Sequence, residues 1–272
     1  MLTADVQYIV EGEQPPIYYA SSAGRNASFT LNWDLQNHDV EIRDARDIGT
    51  DYGGEENGLP DIGFKLIQHR SAVNNFLDGD EISGTYEDEI EAILKSLTGA
   101  RRVHIFDHTV RASDPEVREQ KQIREPATLV HNDYTPKSGY VCLDENLGDD
   151  AEDLAQGRFQ IINLWRPLVN PVLNFPLVLC DARTVGRADL VATERRSSTH
   201  VGEILLATFS LQHRWYYFSN MTSEEILVFK TFDSADAGRT PGSIHTSIDI
   251  ADAPSDAPPR ESIETRAFVF YD

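Results

Sequence analysis

One stretch of the chain carries a clear helical stripe. Tyr86, Ile90, Ile93, Leu94 and Leu97 stand at i, i+4, i+7, i+8 and i+11, the spacing that stacks side chains on one face of an α-helix. Glu87, Asp88, Glu91 and Lys95 fall on the opposite, solvated face. Thr85 is the candidate N-cap, with Asp88 three residues on in a capping-box position, and Gly99 is placed to end the helix in a left-handed C′ conformation. Most of the remaining apolar residues fall in short β-branched or aromatic runs bounded by turn residues, which read as strands. These runs are 102–106 (RVHIF), 128–131, 159–165 (FQIINLW), 172–179, 203–210 (EILLATFS), 215–218, 226–232 (ILVFKTF) and 262–271 (SIETRAFVFY). A parallel βαβ sheet would need a helix between successive strands, and the pattern supplies none there. The expectation is a mainly β protein, a double-sheet jelly roll with helices at its periphery. Turn-rich stretches at 49–60, 148–157, 233–242 and 251–259 are short enough to be connections inside one domain. Residues 1–272 therefore read as a single domain with an N-terminal extension of about 60 residues.

Charge and cysteine usage narrow the partners. The chain has 272 residues with 24 Lys plus Arg against 45 Asp plus Glu, a formal net charge of −21. Such a field repels phosphate backbones and anionic membrane surfaces, so neither nucleic acid nor membrane is expected as a partner. No apolar run reaches the ~18–20 residues that span a bilayer. The start, MLTADVQYIVEGEQ, lacks the basic and apolar regions of a secretory signal. Cys142 and Cys180 form no C-x-x-C pair, and a reducing, cytoplasmic setting is expected.

Several catalytic signatures are missing: G-x-S-x-G, G-x-x-x-x-G-K-[ST], a G-x-G-x-x-G after a strand, and H-E-x-x-H. What the sequence does offer is His131-Asn132-Asp133. On an extended segment, residues i and i+2 point the same way, so an imidazole and a carboxylate converge without long-range closure. By itself H-x-D is a common pair and serves as readily as a turn histidine beside an exposed acid. A third histidine would complete a 2-His-1-carboxylate set, which leaves open positions on Fe(II). His200 lies among Ser and Thr in a loop, and His213 precedes a bulky run and suits a strand entrance. His245 lies just before the final strand and is the preferred third ligand. Arg260 and Arg266 follow it, and a guanidinium there suits the distal carboxylate of a chelating keto acid. Arg166 has the fork for a substrate carboxylate, or else a structural ion pair. His108 and Arg111 follow a strand end and face either the mouth of the barrel or a buried network with Asp107. Tyr134 adjoins the ligand segment, and Asn163 shares a strand face with Trp165.

The ordered strings GFKLIQHRSAV, TGARRVHIFDHTVR, VHNDYTP, INLWRPL, HRWYYF, FKTFDS, HTSID and PPRESIETRAFVF resemble the AsaB/CmcJ-type hydroxylase/desaturase family of secondary metabolism. The likeness runs from about residue 60 to the C-terminus and is looser before it. It implies a non-haem Fe(II)/2-oxoglutarate dioxygenase on a double-stranded β-helix, with iron at His131, Asp133 and His245. Arg260, ahead of Arg266 because of its spacing from His245, then matches the 2-oxoglutarate site. The family spans hydroxylation, desaturation and oxidative ring closure of small molecules with molecular oxygen. The substrate class that follows is an amino-acid-like or natural-product acid, with Arg166, Tyr134, Arg111, His108 and Asn163 as candidate contacts. The other readings are a non-catalytic barrel that binds a small acid or assists a biosynthetic enzyme, and a metal enzyme that uses no keto acid. A methyltransferase would need a glycine-rich nucleotide turn after an early strand, which is not found.

Overall fold

The helical stripe packs as its spacing predicts. Ile90 and Leu94 of helix α2 (Glu87–Thr98) are fully buried together with Tyr86 just before it, and Ile93 and Leu97 close the edges of the same cluster. Burying three such side chains contributes roughly 1.5–3 kcal/mol each. Gly99 ends the helix at φ 72°. Its start differs from the expectation. A short α1 (Gly79–Glu81) and a π-helical turn over Ile82–Tyr86 run directly into α2. The cap is Asp78, whose carboxylate accepts from the backbone N–H groups of Asp80 and Glu81. Thr85 thus lies inside a helical run, and the Asp-x-x pattern seven residues earlier supplies the stronger acceptor.

In a computed structural model, residues 2–20, 23–47, 58–235 and 242–271 are described. Two sheets face one another. The larger has ten strands in the order β1 (Leu2–Ile9), β4 (Leu35–Asp44), β12 (Trp215–Tyr217), β9 (Leu177–Cys180), β14 (His245–Ser247), β7 (His131–Asn132), β11 (Val201–Ala207), β10 (Leu190–Arg196), β2 (Ile17–Tyr19) and β3 (Thr30–Leu31). The smaller has five in the order β5 (Phe64–Gln68), β13 (Glu225–Asp233), β8 (Phe159–Pro167), β15 (Glu261–Phe270) and β6 (Arg102–Ala112). This is the expected jelly roll. Four strands from the first 44 residues belong to it directly: β1 and β4 form one end of the large sheet, and β2 and β3 form the other.

Strand β8 is buried along its whole length, so its alternation separates two interiors. Ile162 and Leu164 pack outward beneath α2, whereas Ile161 and Trp165 face the space between the sheets. The same parity governs β15 and β6. Ile263 and Ala267 pack toward α2, which turns Ser262, Glu264 and Arg266 inward. Their ladder partners Arg111, Thr109 and Asp107 turn inward with them.

The strand expectations need several corrections. The run at 128–131 contributes only the two-residue β7, with Leu129 in an isolated bridge to Gln7. The 172–179 run shortens to β9, and β10 and β14 form where no strand is predicted. The acidic stretch 148–157, read as a loop, contains a 3₁₀ turn and α5 (Ala151–Leu154) after α4 (Ser138–Leu147); α3 (Pro115–Lys121) is likewise unforeseen. Of the predicted loops, 49–57 and 236–241 lie outside the described residues. Cys142 and Cys180 are unbridged. Among the described residues no helix is long and apolar enough to cross a membrane.

Candidate metal centre

Two histidines face each other across neighbouring strands. His131 on β7 and His245 on β14 are direct antiparallel partners, so their side chains leave the sheet on the same face, and their ring centroids are 4.3 Å apart. Asp133 is two residues beyond His131 and rejoins that face. One ligating atom from each of His131, Asp133 and His245 lies within 4.8 Å of the other two, and His131 Nε2 stands 3.6 Å from Asp133 Oδ1.

The surroundings fix which atoms are available. His131 Nδ1–H donates to the Leu129 carbonyl at 2.7 Å, and His245 Nδ1–H donates to the Ser243 carbonyl at 3.2 Å. Each ring therefore keeps its proton on Nδ1 and presents a lone pair at Nε2. Asp133 Oδ2 accepts from Asn163 Nδ2 at 2.7 Å and from Arg266 Nε at 3.1 Å, which leaves Oδ1 toward the imidazoles. Burial, then the neighbouring His245, pushes the His131 pKa down to about 4. Burial alone would raise that of Asp133, but Arg266 and the two imidazoles hold it well below the ordinary carboxylate range. Two neutral imidazoles and one ionised carboxylate, each oriented by a second hydrogen bond, make a donor set that fits a divalent ion such as Fe(II). Phe229 packs on His245 with ring centroids 4.8 Å apart.

The two arginines of the last strand do different work. Arg266 is engaged by three carboxylates: Asp133, Asp107 and Glu264. Together they raise its pKa well above normal against the opposing effect of burial. Arg260 is 2% exposed, and among the described residues its guanidinium hydrogen-bonds to hydroxyls alone, Ser247 at 2.7 Å and Ser262 at 2.8 and 3.2 Å. The Trp165 ring lies 5.1 Å from its guanidinium carbon. Burial, then Arg111, pushes its pKa down to about 9, with Glu264 opposing. Ser247, two residues after His245, links this cation to the strand that carries the third ligand.

The other sequence candidates divide between the surroundings of the triad and more distant positions. Arg166 has the outward parity of β8 and is fully buried beneath α2. It donates to the carbonyls of His69 and Ser223 and to the Tyr86 hydroxyl, so it ties loops to a helix and lines no part of the site. His108 also faces outward, between Thr265 and Glu87 at 2.9 and 3.1 Å. Asn163 faces inward but is held between Asp133 and the Thr231 hydroxyl, a support for the ligand in place of a substrate contact. Tyr134 is 9% exposed and lies beside Cys142. His213 is a core residue between Tyr8 and Asp189, and His200 lies on an exposed loop near Glu145. The sequence reading named Asp107 only as a network partner of His108 and Arg111, and passed over Glu264, Ser247 and Ser262. Strict alternation through E-S-I-E-T-R and H-T-S was the signal that places them on the inner face.

A cavity of about 760 Å³ opens beside the triad, with His131, Asp133, Tyr134 and Arg266 in its wall. It has the size of a small-molecule site.

Known proteins are similar to this chain in sequence and fold. The family model described as "Oxidoreductase/YMDC permease-like domain" matches residues 6–270. The Fe(II)/2-oxoglutarate-dependent dioxygenase nvfI of Aspergillus novofumigatus (strain IBT 16806) is 32% identical over 95% of this chain and 92% of its own. The hydroxylase/desaturase CTB9 of Cercospora beticola is 30% identical over 88% of this chain and 79% of its own. The solved structure of the iron and alpha-ketoglutarate-dependent endoperoxidase NvfI superposes with a TM-score of 0.83 at 28% identity, covering 99% of this chain and 97% of that one. With full-length likeness to these proteins and a His-Asp-His set between its sheets, the chain belongs to the hydroxylase/desaturase family of Fe(II)/2-oxoglutarate-dependent oxygenases.

Proposed function

We propose that this protein oxidises an aliphatic C–H of a small, acidic, natural-product-like or amino-acid-like molecule, using Fe(II), 2-oxoglutarate and molecular oxygen. The observation that carries the reading is the convergence of His131, Asp133 and His245 beside a buried guanidinium, Arg260, whose hydrogen-bond partners are all neutral hydroxyls. An iron–keto acid pair supplies oxygen-driven oxidation of an unactivated C–H, with 2-oxoglutarate converted to succinate and carbon dioxide. The chain's own part is placement. His131 and His245 offer Nε2 because Leu129 and Ser243 hold their Nδ1 protons. Arg266 and Asn163 keep Asp133 ionised and turned toward the imidazoles. Arg260 supports a role as anchor of the distal carboxylate, since a bidentate anion would satisfy a cation that has no acidic hydrogen-bond partner among the described residues. Phe229 packs against His245 and Trp165 against Arg260, apolar rings that would help keep water from the metal ligand and the cation. Whether an alcohol, an alkene or a new ring results depends on where the substrate carbon is held. The unbridged Cys142 and Cys180 suit a reducing compartment such as the cytoplasm.

The test is succinate formation by protein purified without oxygen. Activity requiring both Fe(II) and oxygen is expected, stimulated by the right member of a small-acid library. Absence of metal-dependent succinate, with small acids still bound, would favour the non-catalytic barrel.

A further inference from the structure

The cavity beside the triad carries three guanidiniums that the oxygenase chemistry does not use: Arg111 on β6, Arg124 after α3, and Arg195 on β10. Backbone register brings them together. Arg111 and Arg124 form a parallel bridge, and Arg195 lies opposite Tyr18 in the parallel β10–β2 ladder. All three act electrostatically on the Tyr18 phenol, where Glu125 acts in the opposite sense. One Arg111 N–H donates to the Glu125 carbonyl at 2.8 Å. Among the described residues none of the three arginines forms an ion pair. This is unusual in a chain with 45 acidic residues and a net charge of −21, where surface cations readily find carboxylates. Burial and Arg124 both work against the charge on Arg195, so holding that guanidinium in the cavity wall carries an electrostatic cost that an entering anion would relieve. The same cavity has apolar walls at Phe29, Leu129, Ile204 and Leu206.

We infer that Arg124 and Arg195, with Arg111 between them and Arg260, form an anion subsite that holds the carboxylate of an otherwise apolar acid substrate. The subsite rests on the oxygenase reading for its purpose, and its binding can be measured independently of turnover. The guanidinium forks recognise the carboxylate, Tyr18 adds a neutral O–H donor, and the apolar walls take the body of the molecule.

Calorimetry on full-length protein loaded with Mn(II) and 2-oxoglutarate tests this with 1-naphthaleneacetate and its uncharged amide. The acid should bind at least tenfold more tightly than the amide. Arg124→Gln and Arg195→Gln should each weaken the acid about tenfold, narrowing the gap to the amide, with Arg195→Lys restoring part of the loss. Their effect on the acid should exceed their effect on 2-oxoglutarate by about tenfold. No detectable binding of the acid, equal binding of acid and amide, or equal losses for the acid and 2-oxoglutarate would each overturn the proposal. Should a variant fail to fold, the acid–amide contrast in the unsubstituted protein still decides. Selective acid binding without any succinate formation would leave this subsite standing and remove the oxygenase reading instead.

Discussion

Replacing Arg260 and Arg266 in turn by Met should separate a ligand-binding cation from a structural one. Arg260 is almost fully buried with no acidic hydrogen-bond partner among the described residues, and burial, then Arg111, pushes its pKa down to about 9. At about 1.4 kcal/mol per pH unit, that depression corresponds to an upper bound of roughly 5 kcal/mol for keeping the charge without a facing anion. An apolar side chain of similar length removes that cost, so Arg260→Met should leave the melting temperature unchanged or raise it. Affinity for 2-oxoglutarate should fall sharply. A charge-assisted contact is worth about 1.5–3 kcal/mol, or roughly 10- to 150-fold in Kd. Arg266 presents the reverse case. Its loss strands the carboxylates of Asp133, Asp107 and Glu264, and breaking such a buried network costs about 3–5 kcal/mol. Arg266→Met should therefore melt well below the parent, whether or not keto acid is present. Thermal melts with and without Mn(II) and 2-oxoglutarate, combined with calorimetry, read both quantities. The reasoning fails if Arg260→Met binds 2-oxoglutarate as the parent does, or if it loses as much stability as Arg266→Met.

Asn163→Leu removes the donor to Asp133 Oδ2 and leaves the Thr231 hydroxyl without that partner; metal affinity measured by chelator competition should drop about 10- to 100-fold, and unchanged affinity would show that Arg266 alone orients the ligand. At Gly139 on α4 an added Cβ would run into the Phe232 ring, so Gly139→Ala should cost about 1–3 kcal/mol in urea unfolding, and a neutral result would mean the helix can shift. Burial would raise the pKa of Asp233, but hydrogen bonds from Arg158 and Gln160, with Lys230 nearby, bring it below its ordinary 3.8. Its ionised form thus stabilises the fold above that value, and the benefit is lost as the pH falls through the lower folded value. Asp233→Asn should accordingly lower stability by about 1–2 kcal/mol near neutral pH, with the gap to the parent closing in strong acid; a gap that persisted there would assign the effect to packing.

The parts of the fold legible in the sequence are those with long, strong periodicity. The α2 stripe, β8, β13 and β15 each bury a continuous face or lie in the middle of a sheet, and the edge strand β6 pairs along its whole length with β15. β10 and β2 are exposed, short or charged, and β14 has only three residues. Their strand character comes from ladder partners far away in the chain, which propensity cannot register. The metal ligands were readable because two of them share a period-2 segment and the third lies just before the last strand. Arg166 shows the limit. Its outward parity depends on the register of β8 against β15 and β13, and a one-residue slip would have reversed it. The partition between Arg260 and Arg266 was equally invisible, because Asp107 and Asp133 reach Arg266 only through long-range pairing.

Anaerobic addition of Fe(II) and 2-oxoglutarate, followed by visible absorption, reports directly on three side chains sharing one ion with a chelating keto acid. A weak charge-transfer band should develop in the parent protein and be lost in each of His131→Ala, Asp133→Ala and His245→Ala, while the Cys142→Ala control keeps it. A band of full strength in folded His245→Ala would contradict the shared site that β7 and β14 build.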